Sequence, residues 1–250
     1  MVGLFFCMHF KFWKLKMKTT LQDFIYCSLA LTALCLFSIT STSIISHAIT
    51  RRIFDEYFVI FDLFVFLLSF GIGSSIAALT MLKLWPFEAG TYDMNSQEFM
   101  RWKLFTVIVE FGKKALAPFT TVFARPLIEK MFGAKIGKHT AIGGTLVDGH
   151  MITLEDEAIV GERSIVAAHY ITNGKLTLKP AVLRKGAIVG GGAIVMSSEI
   201  GEGSVIVPTS LVMPDNVIPP GELWGGFPAR RIRKTDEAPD TNSTKSRNRF

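Results

Sequence analysis

The sequence has little charge and few cysteines. Charged residues make up 19% of the 250 residues, while hydrophobic residues make up 49%. Such a chain is too apolar to be intrinsically disordered, and its composition also excludes coiled coils and collagen. The three cysteines (Cys7, Cys27 and Cys35) all lie in an apolar N-terminal region, and no C-x-x-C pair occurs. We therefore expect neither a disulfide framework nor a cysteine-based metal site.

The charge balance gives no support to nucleic-acid binding. The formal net charge is +6, from 27 basic and 21 acidic residues that are spread along the chain. Nucleic-acid-binding domains instead concentrate their positive charge on one face or in one stripe. We predict no nucleic-acid partner.

Two long apolar runs lie near the N-terminus. Phe24 to Ser46 is free of charge over 23 residues, and Tyr57 to Leu82 has one charged residue, Asp62, in 26. About 20 apolar residues are enough to cross a membrane, so residues 20–86 are predicted to form a transmembrane helical hairpin. The alternative for the first run is a signal peptide, cleaved after Ser46-His47-Ala48. Asp62 lies near the end of its run, which favours an interfacial role over a functional one.

Basic residues flank the hairpin on its outer sides. They are Lys11, Lys14, Lys16 and Lys18 before the first run, and Lys83, Arg101, Lys103, Lys113 and Lys114 after the second. In the connecting turn, two arginines are offset by two acidic residues. Because cytoplasmic segments are enriched in Lys and Arg, we expect a two-span membrane protein with both termini in the cytoplasm.

Three further segments complete the predicted organisation outside the repeat. Residues 1–19 form a basic N-terminal segment, and the polar residues 235–250 form a disordered tail. Residues 87–132 are predicted to be a helical linker, whose helix begins near Asn95 to Glu98 with a capping box. Its mixture of aromatic residues and lysines favours a helix on the membrane surface. An amphipathic helix packed on the next domain is the alternative.

An aliphatic residue recurs every six positions from Ile136 onward. The repeated positions are Ile136, Ile142, Leu154, Val160 and Val166, then Leu183, Val189 and Val195, then Ile200, Ile206, Val212 and Ile218, with Asp148 expected to fill one slot. A period of six fits neither a helix nor a simple strand. It predicts a left-handed parallel β-helix of hexapeptide repeats, with about 18 residues in each coil. The stretch from Ala168 to Lys179 breaks the repeat and contains a turn pair, so we expect a loop at one corner.

Residues 133–234 resemble the left-handed β-helix of the hexapeptide-repeat acyltransferases. The resemblance is carried by His169, by the pattern from Val189 to Val195 and by the ending GGFPARRIR, in which Phe227 stands where the family usually has Asn. The apolar runs and Ser210-Leu211-Val212 look closest to the C-terminal β-helix units of poly-amino-acid synthetases of the ε-poly-lysine type. They also look like membrane-attached sugar and polysaccharide O-acyltransferases.

The resemblance implies acyl transfer from acetyl-CoA, or another acyl-CoA, to a hydroxyl or amine of a sugar, glycan or lipid-linked acceptor. The acyl-CoA is then a co-substrate that is not bound permanently. His169 matches the catalytic position of the family and is expected to be the general base, a role that suits an imidazole with its ordinary pKa of about 6.5. A structural histidine at a coil corner is the alternative. His150 and Asn173 are the expected substrate-binding residues.

In the family, CoA lies in a groove between two subunits of a trimer, so the resemblance implies a homotrimer. The residues expected to contact CoA are Gly190, Gly191, Gly192, Ala193, Ser210, Arg230 and Arg231. Glycines let the pantetheine arm approach the backbone, and guanidinium groups bind phosphate. Two alternatives stay open: that the glycines serve only the coil corners, and that the basic residues are solvated or attracted to anionic lipid.

Three other functions are open at this point. They are a non-catalytic trimeric membrane scaffold, a peptide-ligase-like unit that uses a carrier-protein thioester, and a relative of the γ-class carbonic anhydrases. The last class holds zinc with three histidines, two of them five residues apart. His139, His150 and His169 have spacings of 11 and 19, so no metal is expected.

Overall fold

The structure is a computed structural model that describes residues 20–121 and 123–236, except for the side chains of His47 and Ala48. The predicted basic segment 1–19 and nearly all of the predicted disordered tail 235–250 lie outside the described residues. The described chain begins with helices α1 (Leu21–Ile45), α2 (Arg51–Phe54) and α3 (Phe58–Leu84). By length and composition, two helical segments, Leu21–Ile45 and Arg51–Leu84, are suited to cross a membrane.

Polar contacts stabilise both ends of α1. Thr20 and Asp23 form a reciprocal capping box at its start. At its other end, a π-helical turn over Ser46–Thr50 leads into α2. The carboxylate of Asp62 on α3 accepts hydrogen bonds from the hydroxyls of Ser46 and Thr50, both at 2.7 Å. Asp62 therefore joins the turn to α3.

The linker is more than a helix. It contains strand β1 (Gly90–Asp93), helix α4 (Gln97–Leu116) and helix α5 (Arg125–Met131). The N-cap of α4 is Ser96, whose hydroxyl accepts a hydrogen bond from the backbone N–H of Phe99 at 3.1 Å. The capping box that we expected from Asn95 and Glu98 is wrong by one residue, because the third helical position is Phe99 and not an acid.

Helix α4 packs directly against α3. Its side chains Phe105, Ile108 and Leu116 are at most 3% exposed and share one apolar cluster with Phe70 and Ala78 of α3. The helix is amphipathic and packed, as in the second interpretation, but most of its apolar face lies on α3 and not on the next domain. The helix therefore lies against the apolar hairpin along most of its length, and its first turns reach the repeat domain.

The repeat domain is a parallel β-helix with three sheets. The first sheet contains β2 (Lys135–Ile136), β5 (Ile152–Leu154), β10 (Ala181–Leu183), β13 (Glu199–Ile200) and β16 (Val217–Ile218). The second contains β3 (Ala141–Ile142), β6 (Ile159–Val160), β11 (Ile188–Val189), β14 (Val205–Ile206) and β17 (Glu222–Gly226). The third contains β4 (Thr145–Val147), β7 (Ile165–Ala167), β12 (Ile194–Met196) and β15 (Leu211–Val212). Neighbouring strands within each of these sets pair in parallel.

The hexapeptide slots form the core of this domain. In the first sheet, for example, Ile136, Leu154 and Leu183 are in register and stack on one another, each at most 8% exposed. The stack continues through the next two coils. One aliphatic side chain from each strand therefore fills the centre of each coil, as the six-residue period predicts. Strand β18 (Ala229–Lys234) turns back and pairs antiparallel with β17, which covers the last coil.

One predicted slot is wrong. Leu146, and not Asp148, pairs with Val166 in the third sheet. The step from Leu146 to Val166 is two residues longer than the step from Ile142 to Val160 in the same coil. The extra length forms a 3-10 turn over Gly149–Met151, preceded by Asp148 in the left-handed region with φ of 58°. A carboxylate stacked among aliphatic side chains would lack a partner, which is costly in free energy.

The break in the repeat is an ordered hairpin. Strands β8 (His169–Thr172) and β9 (Lys175–Leu178) are joined by Asn173 and Gly174, whose φ values are 50° and 70°. Two successive residues with positive φ are typical of a tight hairpin turn. Strand β1 of the linker adds to β9 as a third antiparallel strand. Because Leu176 and Leu178 of β9 pack with Phe99 and Trp102, the hairpin brings the start of α4 to the corner of the β-helix.

Candidate active site

A histidine and an aspartate meet at one corner of the β-helix. Asp148 follows strand β4, His169 follows strand β7, and these two strands are paired neighbours. The ring Nδ1 of His169 makes a hydrogen bond with Oδ2 of Asp148. The carboxylate is 2% exposed, whereas the imidazole is 22% exposed. The buried acid thus holds a ring that solvent and ligands still reach.

The second oxygen of the same carboxylate is held by α4. The indole Nε1 of Trp102 donates a hydrogen bond to Oδ1 of Asp148 at 3.0 Å. The indole also meets the imidazole of His169 edge to face, with 5.0 Å between ring centroids. Phe99 stacks on the same indole, with 5.8 Å between ring centroids. Both oxygens of the carboxylate are therefore occupied, and the imidazole is fixed in position by an acid and an aromatic ring.

This arrangement fits a general base. With the carboxylate accepting the Nδ1–H, the neutral imidazole carries its free lone pair on Nε2. Among the described residues, none hydrogen-bonds to that nitrogen. The imidazole is able to take a proton through Nε2, and the carboxylate of Asp148 then stabilises the imidazolium.

His150 lies in an apolar environment. Its ring packs against Phe87, with centroids 5.1 Å apart, and against Phe105, at 4.7 Å. Both ring nitrogens are buried and have no hydrogen-bond partner among the described residues. Burial lowers the pKa of His150 to about 4. Its ring packs against linker residues and both of its nitrogens are shielded from solvent, which argues against the expected contact with substrate.

The predicted glycine cluster lies at a different corner from His169. Gly190, Gly191 and Gly192 connect β11 to β12. A Cβ on Gly190 would lie 2.5 Å from the backbone nitrogen of Pro208 in the next coil, and Gly192 has a φ of 69°. The side chain of Ala193 is fully buried in the core. These residues are needed by the fold, and their contact with CoA stays a prediction.

The remaining predicted residues lie at the end of the β-helix and at the hairpin tip. The buried hydroxyl of Ser210 accepts a hydrogen bond from the N–H of Gly226 at 3.1 Å, so it stabilises the last coil. Arg231 forms an ion pair with Glu222 at 2.9 Å. Arg230 is exposed and makes no ion pair with any described residue. Asn173 occupies the exposed turn of the hairpin.

The sequence contained a signal for one of the two residues that we missed. An acid in an aliphatic slot is an anomaly, and at position 148 it marks the partner of His169. Trp102 carried no comparable signal, because it lies 46 residues before Asp148 on another element. In the part of the chain that the structure describes, no group of three or more His, Cys, Asp or Glu side chains is placed to hold a metal ion.

Comparisons with known proteins give structural matches only. No protein-family model matches the chain, and no curated protein matches it. A hexapeptide-repeat acetyltransferase from Vibrio cholerae, solved with acetyl-CoA, is 27% identical over 42% of this chain and 62% of its own, with a TM-score of 0.39. This chain thus spans less than two thirds of that protein.

Two sugar acetyltransferases match over more of their length. A galactoside acetyltransferase in complex with CoA is 17% identical, with 64% of this chain and 91% of that chain covered and a TM-score of 0.47. A maltose O-acetyltransferase from Clostridium difficile is 21% identical, with 64% and 97% covered and a TM-score of 0.41. These matches are hexapeptide-repeat or sugar acetyltransferases, while the β-helix itself is established by the strand pairing of this chain.

Proposed function

We propose that this protein is a membrane-anchored acyltransferase. It moves an acetyl or longer acyl group from acyl-CoA to a hydroxyl or amine of a sugar, glycan or lipid-linked acceptor. The observation that carries the proposal is the hydrogen bond between His169 and Asp148, which leaves Nε2 free at the corner of a hexapeptide-repeat β-helix. The similarity to acetyltransferase structures described with acetyl-CoA and CoA is in keeping with this donor.

The proposed mechanism needs only one base. Nε2 of His169 takes the proton of the acceptor hydroxyl or amine as that atom attacks the thioester carbonyl. The tetrahedral intermediate then collapses, the carbon–sulfur bond breaks, and the CoA sulfur leaves with the proton from the imidazolium. Asp148 keeps the ring oriented and stabilises its positive charge through both steps. Trp102 keeps the carboxylate of Asp148 in place.

The proposed donor site involves more than one copy of the chain. We expect the pantetheine arm to follow the corner at residues 190–192, and the CoA phosphates to meet the exposed guanidinium of Arg230. Since that corner and His169 belong to different corners of one β-helix, neighbouring copies in a homotrimer would bring them to a shared groove. The two apolar helical segments would anchor the trimer, with the β-helix and both termini in the cytoplasm, where acyl-CoA is available.

Acetyl-CoA binding and transfer test the proposal together. We expect the purified protein in detergent to bind acetyl-CoA, and His169→Ala to retain that binding. Transfer to an acceptor should fall about 10²- to 10⁴-fold in His169→Ala, since a positioned general base contributes this much. The double variant Arg230→Ala/Arg231→Ala should instead lose affinity for acetyl-CoA.

Failure of the wild-type protein to bind acetyl-CoA and longer acyl-CoA thioesters would overturn the CoA-dependent function. Unchanged transfer by His169→Ala would overturn the role of the histidine.

A further inference from the structure

An apolar cleft lies where α1, α3 and α4 meet. It has a volume of about 190 Å³. Its walls are formed mainly by Tyr26 and Cys27 of α1, Met81 near the end of α3, and Met100 and Leu104 of α4. Asp23 also lines the cleft, and its charge is balanced by an ion pair with Lys103. This lining is suited to an alkyl chain and offers few groups for a polar ligand.

A polar cleft adjoins the apolar one and shares Trp85 and Arg101 with it. Its volume is about 230 Å³, and its lining includes Glu88, Tyr92 and Glu98. The guanidinium of Arg101 lies over the ring of Trp85, 5.6 Å from its centroid. The two clefts together therefore offer an apolar cavity, one cation at its edge and two carboxylates beyond it.

The charged groups of the polar cleft are available to a ligand. Among the described residues, Arg101, Glu88 and Glu98 form no ion pair. Burial raises the pKa of Tyr92, and the nearby carboxylates of Glu88 and Glu98 raise it further. Both acids thus act on the same small volume, next to a half-buried arginine.

The clefts lie at the ends of the two apolar helical segments. The apolar cleft is bounded by the first residues of α1 and by the last residues of α3, and Leu21 and Leu84 nearby are 77% and 61% exposed. In a bilayer, this is the level at which hydrocarbon gives way to head groups. An apolar cavity that is continuous with a charged cleft at this level matches the two parts of a lipid.

We propose that the two clefts bind one phospholipid whose head group carries a phosphate and a primary ammonium, as phosphoethanolamine does. One alkyl chain occupies the apolar cleft, Arg101 binds the phosphate, and Glu88 and Glu98 receive the ammonium. The site rests on the membrane placement in the proposed function. A purely anionic head group would meet two uncompensated carboxylates, and a quaternary ammonium has no N–H to donate to them.

Helix α4 connects the proposed lipid site to the corner of the β-helix that carries His169 and Asp148. Arg101 precedes Trp102, whose indole holds Asp148. A lipid bound at Arg101 fixes the first turns of the helix on which that indole stands. The bound lipid is thus placed to stabilise the pair of His169 and Asp148 without touching either residue.

Lipid competition on the full chain tests the site. The protein, purified in detergent, is mixed with equal amounts of phosphatidylethanolamine, phosphatidylcholine and phosphatidylglycerol with the same acyl chains, and bound lipid is counted by native mass spectrometry. We expect phosphatidylethanolamine to dominate. Arg101→Gln should weaken phospholipid binding about tenfold, as expected for loss of one hydrogen-bonded charge pair. Arg52→Gln, at the opposite end of the hairpin, is the control and should change nothing.

Two further variants distinguish binding of the lipid's alkyl chain from recognition of its head group. Glu98→Gln replaces an exposed side chain and should remove the preference for phosphatidylethanolamine over phosphatidylglycerol while lipid still binds. Met100→Trp fills the apolar cleft and should abolish binding of all three lipids. Equal binding of the three lipids by the wild type, a preference for phosphatidylglycerol, or unchanged binding by Arg101→Gln would each overturn the proposal.

Acetyl-CoA binding by the same samples distinguishes this site from the proposed function. If the protein prefers phosphatidylethanolamine but does not bind acetyl-CoA, the lipid site stands and the acyltransferase does not. If acetyl-CoA binds and the lipids are not distinguished, the lipid site is wrong and the acyltransferase stands.

Discussion

The indole of Trp102 joins a helix packed on the apolar hairpin to the acid that orients His169. Trp102→Phe keeps an aromatic ring beside Phe99 but removes the 3.0 Å hydrogen bond to Asp148. Hydrogen bonds to charged groups contribute about 1.5–3 kcal/mol, so we expect the rate of acyl transfer to fall about 10- to 100-fold. The affinity for acetyl-CoA should not change.

Steady-state kinetics over a range of pH check this prediction, with Trp224→Phe as the control, because Trp224 donates to Glu222 at the far end of the β-helix. Trp102→Phe should lower kcat and leave the KM for acetyl-CoA unchanged, which distinguishes a positioning role from a loss of donor binding. A variant with wild-type kinetics at every pH would show that Asp148 needs no support from α4.

The buried imidazole of His150 makes stability depend on pH. Its pKa falls from the ordinary 6.5 to about 4 because the ring is buried. Between these values the unfolded chain binds more protons than the folded chain, so stability is full above pH 6.5 and is lost as the pH falls toward 4. The charge of Asp148 acts against this shift and that of Lys113 adds to it. The expected loss from pH 7.5 to pH 5 is about 2 kcal/mol.

His150→Leu should remove this part of the pH dependence and preserve stability at pH 7.5, because both ring nitrogens lack partners among the described residues. Thermal unfolding in detergent at the two pH values measures the difference. His139→Asn is the control, since His139 is exposed and has a positive φ that Asn tolerates. Equal pH dependence of the wild type and His150→Leu would contradict the assignment.

Single residues are also where sequence reasoning reached its limit. His169 could be found because it lies three residues after the repeat position Val166, at the start of the break in the period, where the resemblance places the catalytic histidine. Asp148 stood out as an acid in an aliphatic slot, but its role was missed because the six-residue count placed it in the core, and the two extra residues that move it out are visible only in the strand register. His150 was expected near the substrate, and nothing local in the sequence showed that Phe87 and Phe105 would enclose it.

Helices α3 and α4 approach closely at glycines. A Cβ on Gly112 of α4 would lie 2.5 Å from Cβ of Ser74 on α3 and 2.8 Å from Cζ of Phe132. In the middle of a helix, Gly→Ala ordinarily stabilises by up to about 1 kcal/mol. Here we expect Gly112→Ala to destabilise by about 1–3 kcal/mol, because the methyl group has no space and the helices must separate.

The midpoint of thermal unfolding in detergent tests this prediction. Glu110→Ala is the matched control, because Glu110 lies on the same helix, is exposed and has only a weak pair with Lys114 at 4.0 Å. A Gly112→Ala variant that is as stable as this control, or more stable, would mean that the two helices do not pack as closely as the structure shows.

The elements differ in how far they could be predicted. The β-helix follows from its period, because each coil repeats the same burial pattern and the signal accumulates over many repeats. Strand β1 has no such support: its four residues are extended because β9 offers a free edge. The partner that covers the apolar face of α4 could not be predicted either. An amphipathic helix packs equally well on a bilayer or on another helix, and the sequence does not distinguish the two.

At the scale of the whole molecule, α4 connects three parts of the chain. Its Lys103 forms a 2.5 Å ion pair with Asp23 of α1, its central face packs on α3, and its Trp102 reaches the β-helix. The apolar hairpin is thus part of the support of the candidate site, in addition to its proposed role as a membrane anchor. If the linker were a polar loop between two independent domains, the apolar hairpin would not affect the positions of His169 and Asp148.

A fragment that begins at residue 87 tests this dependence. It retains α4 and the β-helix, but it exposes Phe105, Ile108 and Leu116, which α3 covers in the full chain. Contiguous apolar patches of this kind cause association in water, so we expect the fragment to aggregate without detergent, as measured by analytical ultracentrifugation. With detergent it should bind acetyl-CoA but transfer acyl groups more slowly, because the position of Trp102 is no longer fixed by α3. A monodisperse fragment in plain buffer with the transfer rate of the full chain would show that the apolar hairpin gives the candidate site no support.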